Sequence, residues 1–127
     1  MPEPYHREEA VLSCNLLLIE DDALSQRNLT IFLKQFGHKV YGASSGEAAL
    51  DLIAQINFDV LISDLRLSGQ LSGLDVLKHF AKIFPGKRLI LVTAFGSDDI
   101  RSEAEALGAF YYEKPISLNE LRSSVES

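Results

Sequence analysis

The chain has 127 residues, with 12 Lys and Arg against 18 Asp and Glu and a net charge of −6. That length is one domain of ordinary size, and the acidic balance excludes a surface built for direct contact with nucleic acid or anionic membrane. The single cysteine, Cys14, excludes an internal disulfide and a multi-cysteine zinc site, and no apolar run is long enough to span a membrane.

Residues 1–13 (MPEPYHREEAVLS) are polar with two prolines and read as a leader, ending in a short helical stretch. They lack the basic start and apolar stretch of a signal peptide, so a cytoplasmic domain over residues 14–127 is expected. The first strand is expected at Leu16-Leu17-Leu18-Ile19, a continuous apolar run of the kind buried on both faces. A helix is expected from Leu24 to Phe36, with Leu29, Phe32, Leu33 and Phe36 at helical spacing and Gly37 as its stop. Lys39 to Ala43 reads as a weaker edge strand, and Gly46 to Ile56 as a second helix. Val60-Leu61-Ile62 is the third strand, and Leu74, Leu77, Phe80 and Ala81 mark a third helix that closes before Pro85-Gly86. Leu89 to Val92 is the fourth strand. Ser97-Asp98-Asp99 caps a fourth helix that stops at Gly108. Phe110-Tyr111-Tyr112 is the fifth strand, and Leu118, Leu121 and Val125 begin a fifth helix. Strands alternating with helices in this way form a parallel sheet covered on both faces, an α/β fold with right-handed crossovers.

Each buried run delivers a polar group at its C-terminal end. The first gives Glu20-Asp21-Asp22, the third Asp64, the fourth Thr93, and the fifth leads to Lys114-Pro115. In an open parallel sheet these ends share the edge where ligands bind. Singly each has a plain reading: Asp22 as a helix N-cap, Glu20 and Asp21 as turn residues, Asp64 as the start of a loop, Thr93 as a β-branched strand residue, Lys114 as a solvated loop charge. Together they form a constellation. Clustered carboxylates repel unless a cation offsets them, and an oxygen-only site open to water suits Mg²⁺. A magnesium ion beside a free carboxylate and a lysine suits phosphoryl transfer, with the carboxylate as nucleophile.

At this point the sequence closely resembles the receiver domain of bacterial two-component response regulators. The motifs are LLLIEDD at 16–22, DVLISDLRL at 59–67, LILVTAFG at 89–96 and YYEKP at 111–115, and the match runs over about residues 15–127. The resemblance implies a flavodoxin-like, doubly wound sheet of five parallel strands in the order 2-1-3-4-5. It implies that Asp64 is the phosphoacceptor, taking its phosphoryl group from a sensor histidine kinase or a histidine phosphotransfer domain. Glu20 and Asp21 match the acidic pair that organises Mg²⁺ (Mn²⁺ is the alternative). Asp21, Asp64 and the backbone carbonyl of Arg66 would be ligands. Lys114 would pair with the phosphoryl oxygens across a Lys–Pro bond that is usually cis in the family. Thr93 matches the switch hydroxyl and Tyr111 the switch aromatic, with Tyr112 the runner-up. Arg66 and Phe95 lie where such domains tune their own dephosphorylation by water. The chain is then not a classical enzyme but a phosphoacceptor that switches the surface of helix four, strand five and helix five; whether activation pairs it with a second copy, and whether an output domain lies outside this chain, the sequence leaves open.

The sequence departs from the family pattern in three places. Ser68 stands where a proline is usual, the loop LRLSGQLSG to Gly73 is one residue longer, and Gly108 to Lys114 is one residue shorter. The lengthened loop keeps a second reading open, a pseudo-receiver that serves only as a protein-interaction module. A third, a small magnesium-dependent phosphatase with Asp64 as nucleophile, would want a second acid where Arg66 stands. A flavin-binding flavodoxin is excluded, because the first strand ends in acids and not in a glycine-rich phosphate loop. His6, His38 and His79 read as surface or helix-flank residues, Cys14 as a small packing residue, and Tyr41, Phe58, Phe84 and Phe110 as core or crevice walls.

Overall fold

The computed structural model describes residues 13–127; the expected helical end of the leader, and His6, lie outside them. Ten elements alternate: β1 (Asn15–Ile19), α1 (Ala23–Lys34), β2 (Lys39–Ala43), α2 (Gly46–Ile53), β3 (Val60–Asp64), α3 (Gly73–Ile83), β4 (Arg88–Thr93), α4 (Asp98–Ala106), β5 (Phe110–Glu113) and α5 (Leu118–Val125). All strand pairs are parallel and the order is β2-β1-β3-β4-β5. This is the flavodoxin-like, doubly wound arrangement expected from the sequence.

The continuous apolar runs divide by alternation, because successive strand residues face opposite sides of the sheet. Leu17, Ile19, Leu61, Leu89 and Leu91 face one side and pack with Ala49, Leu77, Phe80 and Ala104 of α2, α3 and α4. Leu16, Leu18, Val60, Ile62, Ile90 and Val92 face the other, under Leu33 of α1 and Leu121 and Val125 of α5. Each fully buried side chain of this size contributes about 1.5–3 kcal/mol.

Every helix among the described residues starts on a side-chain cap. Asp22, Ser45, Ser72, Ser97 and Ser117 each accept the backbone N–H three residues on. Ser72 is joined by Asp75, whose carboxylate accepts the Ser72 N–H and completes a capping box. Gly37 and Gly108 sit at φ 88° and 82° just past helix ends, a conformation L side chains rarely adopt. No helix among the described residues is long and apolar enough to cross a membrane.

Several details depart from the expectations. Helix α2 ends at Ile53 and not Ile56, since Gln55 N–H turns back to the Leu52 carbonyl and tightens the last turn before Phe58 enters the core. Phe110 does not wall a core or crevice: it is 38% exposed, because it opens the edge strand. His38 is not a surface residue but 3% exposed. Its Nδ1 accepts the Cys14 N–H at 3.1 Å, which leaves the ring proton on Nε2, 2.8 Å from Glu126 Oε2. Glu126 in turn accepts from Arg122, whose guanidinium lies 3.5 Å from the Phe36 ring centroid. The end of α5 is thereby fastened to the starts of β1 and β2.

Candidate phosphoryl-transfer site

The C-terminal ends of β1, β3, β4 and β5 bring Glu20, Asp64, Thr93 and Lys114 to one edge. Glu20 is 5% exposed, and its carboxylate is used on both sides. Oε2 accepts the Asp22 N–H at 3.2 Å and Oε1 lies 3.3 Å from Lys114 Nζ. Its backbone is pinned as well: Glu20 N–H donates to the Ala43 carbonyl, and the Gln26 amide donates to both the Glu20 and Ala43 carbonyls at 3.0 Å. Gln26 is a positioning residue that no sequence pattern singles out.

Asp64 ends β3 with its carboxylate mostly buried, and Lys114 Nζ donates to Oδ2 at 2.6 Å. One ammonium is therefore flanked by two carboxylates from different strands. Burial alone would lower the Lys114 pKa; the hydrogen bond and charge of Asp64, with Glu20 behind them, outweigh it and hold the ammonium above the usual lysine value. The Lys114 backbone is fixed by an N–H bond to the Thr93 carbonyl at 2.8 Å, and the Lys114–Pro115 bond is cis.

The chain leaves Asp64 through a very close return. Ser63 Oγ donates to the Asp64 carbonyl at 2.7 Å, and Gly73 N–H donates to the Leu65 carbonyl at 2.7 Å. A Cβ at Gly73 would fall 1.8 Å from the Asp64 carbonyl oxygen, so only glycine fits. The lengthened loop between them is tied to the β2–α2 side. Ser68 bridges Ser45 in parallel and donates from Oγ to the Ser44 carbonyl at 3.2 Å, a bond that proline could not make. Glu47 Oε2 accepts the Gln70 N–H at 3.0 Å.

Thr93 is fully buried, and its Oγ1 accepts the Phe95 N–H at 3.0 Å. Arg66, two residues after Asp64, reaches across to stack its guanidinium 4.0 Å from the Phe95 ring centroid. Both residues are exposed, and together they bridge the loops that follow β3 and β4. The sequence names both residues but gives no sign of this contact.

Tyr111 lies opposite Leu91 in the β4–β5 register, so it shares the sheet face of Leu91 and Thr93. Its hydroxyl donates to Glu113 Oε2 at 3.1 Å, and Arg101 of α4 lies 4.8 Å from its ring centroid. Burial, then the bond to Glu113, pushes its hydroxyl pKa up. Gly96 makes room for it, since a Cβ there would meet the Tyr111 hydroxyl at 1.6 Å. Tyr112 faces the other way, its hydroxyl on Ser124 of α5.

Asp21 is exposed in the turn to α1, and Asp22 is spent on the cap, its carboxyl pKa lowered by the Ser25 N–H. No ready cluster of three metal-binding side chains occurs among the described residues. The donors at this edge are oxygens only: the carboxylates of Asp21 and Asp64 and the carbonyls of the following loop. A few hard oxygens with room for water fit Mg²⁺, and not a metal that wants nitrogen or sulfur. Beside them a groove of about 490 Å³ runs between α1 and α5, lined by Leu29, Ile62, Ile116 and Leu121 and reaching Asp64 and Lys114.

The comparisons agree with this fold. The sequence model of the response regulator receiver domain matches residues 16–126. The chain is 32% identical over 113 residues to sporulation initiation phosphotransferase F of Bacillus subtilis, covering 87% of this chain and 90% of that protein. It is 36% identical over 108 residues to the alginate biosynthesis transcriptional regulatory protein AlgB of Pseudomonas aeruginosa, covering 84% of this chain but only 24% of that one. It likewise spans about a quarter of the transcriptional regulatory protein ZraR of Escherichia coli, at 28% identity. Among solved structures, a receiver domain protein from Clostridium thermocellum superposes with a TM-score of 0.79 at 31% identity, over 87% of this chain and 90% of that one. A response regulator from Burkholderia pseudomallei, solved with a phosphorylated aspartic acid and a calcium ion, gives 0.81 at 25% identity, over 89% and 66%.

Proposed function

The chain belongs to the response regulator receiver domain family of two-component systems, and from that membership we propose that Asp64 accepts a phosphoryl group from a phosphohistidine. An Asp64 carboxylate oxygen attacks phosphorus, the P–N bond breaks, and the imidazole leaves, giving an acyl phosphate. Mg²⁺, held by Asp21, Asp64 and the Arg66 carbonyl, would neutralise charge on the transferred group. Mn²⁺ would fit the same donors. Lys114 is already at the place where the phosphoryl oxygens arrive and would move its bond from the carboxylate to one of them. The Thr93 hydroxyl would give up the Phe95 N–H to meet another oxygen, and Tyr111, on the same face, would follow it. Glu20 stays on Lys114 and keeps the ammonium aimed.

The observation that carries this reading is the single ammonium of Lys114 between Asp64, at 2.6 Å, and Glu20, at 3.3 Å. The donor would be a sensor histidine kinase or a histidine phosphotransfer domain in the cytoplasm. The exposed Leu24 and Leu118 beside the α1–α5 groove suit such a partner. The transcriptional regulators matched over only about a quarter of their length motivate an output region elsewhere in the protein. The lengthened loop is tied to the β2–α2 side, which supports the phosphoacceptor reading over a pseudo-receiver.

The test is treatment with Mg²⁺ and acetyl phosphate, read by intact mass. The wild type should gain one phosphoryl group, and Asp64→Asn should gain none. No gain in the wild type, or an equal gain in the variant, would overturn the assignment.

A further inference from the structure

We propose that Gln26 is a positioning residue for the divalent cation, holding the backbone of Asp21 in the pose from which its carboxylate ligates. The inference rests on the phosphoacceptor reading above, in which Asp21 is a ligand.

Asp21 is exposed in the turn between β1 and α1, so packing does not orient it. Its backbone is nevertheless fixed on both sides. A residue has two soft backbone dihedrals, set by the peptide planes that enter and leave it. The plane entering Asp21 carries the Glu20 carbonyl, which accepts from the Gln26 side-chain amide at 3.0 Å. The plane leaving it carries the Asp22 N–H, which donates to Glu20 Oε2 at 3.2 Å. With both planes held, the direction of the Asp21 Cα–Cβ bond follows. A ligand already held in its binding pose costs less to order when the ion arrives.

The Gln26 amide is built for this task. Its nitrogen has two hydrogens and two carbonyl partners, Glu20 and Ala43, both at 3.0 Å. Both partners are acceptors, which settles the orientation of the amide. Ala43 ends β2, and its carbonyl also accepts the Glu20 N–H at 3.0 Å. The acidic turn is therefore tied to the tips of two strands. The Gln26 backbone N–H donates to the Asp22 carbonyl at 3.0 Å, so the same residue starts the hydrogen bonding of α1.

Gly42 supplies a separate observation. It is exposed within the edge strand β2, where glycine weakens pairing. Its φ is not positive, so the backbone does not demand glycine there. The three atoms that a Cβ would meet first all belong to Gln26, with Oε1 at 2.8 Å and Cδ at 2.9 Å. The missing side chain at Gly42 is what leaves the amide its seat on the two carbonyls.

The experiment is a Mg²⁺ titration of the full chain, followed by the ¹H–¹⁵N signals of Asp21, Asp64 and Arg66. Gln26→Ala removes the amide without changing charge and keeps a good helix former in α1. Gly42→Ala keeps Gln26 but pushes its amide off the carbonyls. Each should weaken Mg²⁺ binding about tenfold, the low end of what losing a residue behind a metal ligand costs. The double variant should bind no more weakly than Gln26→Ala, because no amide remains to be displaced. Val125→Ala, a cavity at the far end of α5, should lower the urea midpoint and leave Mg²⁺ affinity unchanged. Phosphorylation of Gln26→Ala from acetyl phosphate should recover as Mg²⁺ is raised, since the ligands themselves are intact. Unchanged affinity in either single variant, a further loss in the double, or phosphorylation that stays slow at saturating Mg²⁺ would overturn the inference. So would an equal loss of affinity in Val125→Ala. If the wild type neither binds Mg²⁺ nor gains a phosphoryl group, the phosphoacceptor reading falls and this inference falls with it. If it does both and the variants match it, this inference alone falls.

Discussion

Gly73 shows how one residue without a side chain can set the shape of a site. Its approach to the Asp64 carbonyl leaves no space for a methyl group, and the clash would be with backbone. Gly73→Ala is expected to lose about 1–3 kcal/mol, the cost of overpacking, with a lower urea midpoint and a displaced Asp64 amide signal. Phe95 acts differently: its ring supports the Arg66 guanidinium across the mouth of the site. If that stack impedes an incoming water, Phe95→Ala should shorten the lifetime of the acyl phosphate several-fold while leaving its formation from acetyl phosphate nearly unchanged, as followed by mass after removal of the donor. Asp64 and Lys114 were legible in the sequence because a strand end has only one place to be in a parallel sheet. The Arg66–Phe95 stack was not, because it depends on how two loops bend. His38 was misread for a related reason. Its neighbours Gly37 and Lys39 are exposed, and its burial comes with the contact to Glu126 at the end of α5, which no local pattern shows.

Among the elements, α5 has the least usual attachment. Burial alone would raise the Glu126 carboxyl, but the bonds from Arg122 and His38 outweigh it and hold its pKa below the ordinary 4.5. A lowered carboxyl pKa means that the folded state holds the proton less tightly than the unfolded chain. Its contribution is then fully present above the ordinary value and is lost as pH falls through the depressed one. The stability gap between wild type and Glu126→Gln should therefore be constant near neutrality and close on acidification below about pH 4.5, as measured by urea unfolding across pH. The helices themselves were legible to within a turn, because serine or aspartate caps and glycine stops bracket them. The ends of α1 and α2 fall two and three residues short of the expected ones, since their apolar spacing runs on into three-residue turns.

For the whole molecule, the proposed function joins the sheet to a site that would gain a ligand. Beryllofluoride with Mg²⁺, bound only by the folded state, should stabilise the wild type by about 2.7 kcal/mol at one hundred times its dissociation constant. Thermal unfolding of Asp64→Asn should not respond. The sheet order followed from the family resemblance and the alternation of elements. Which strand residues serve which face follows from period-two geometry alone.

That geometry has one more consequence. Glu20, Asp64 and Lys114 border the groove under α1 and α5, whereas Thr93 and Tyr111 stand with Leu91 on the side of α3 and α4. The sheet is thus a partition, with the residues proposed for phosphoryl transfer in one room and those proposed to report it in the other. The two meet at its rim, where the amide of Lys114 donates to the carbonyl of Thr93. Sequence change can remodel either room while the other keeps its walls, so donor choice and output can diverge independently on one scaffold.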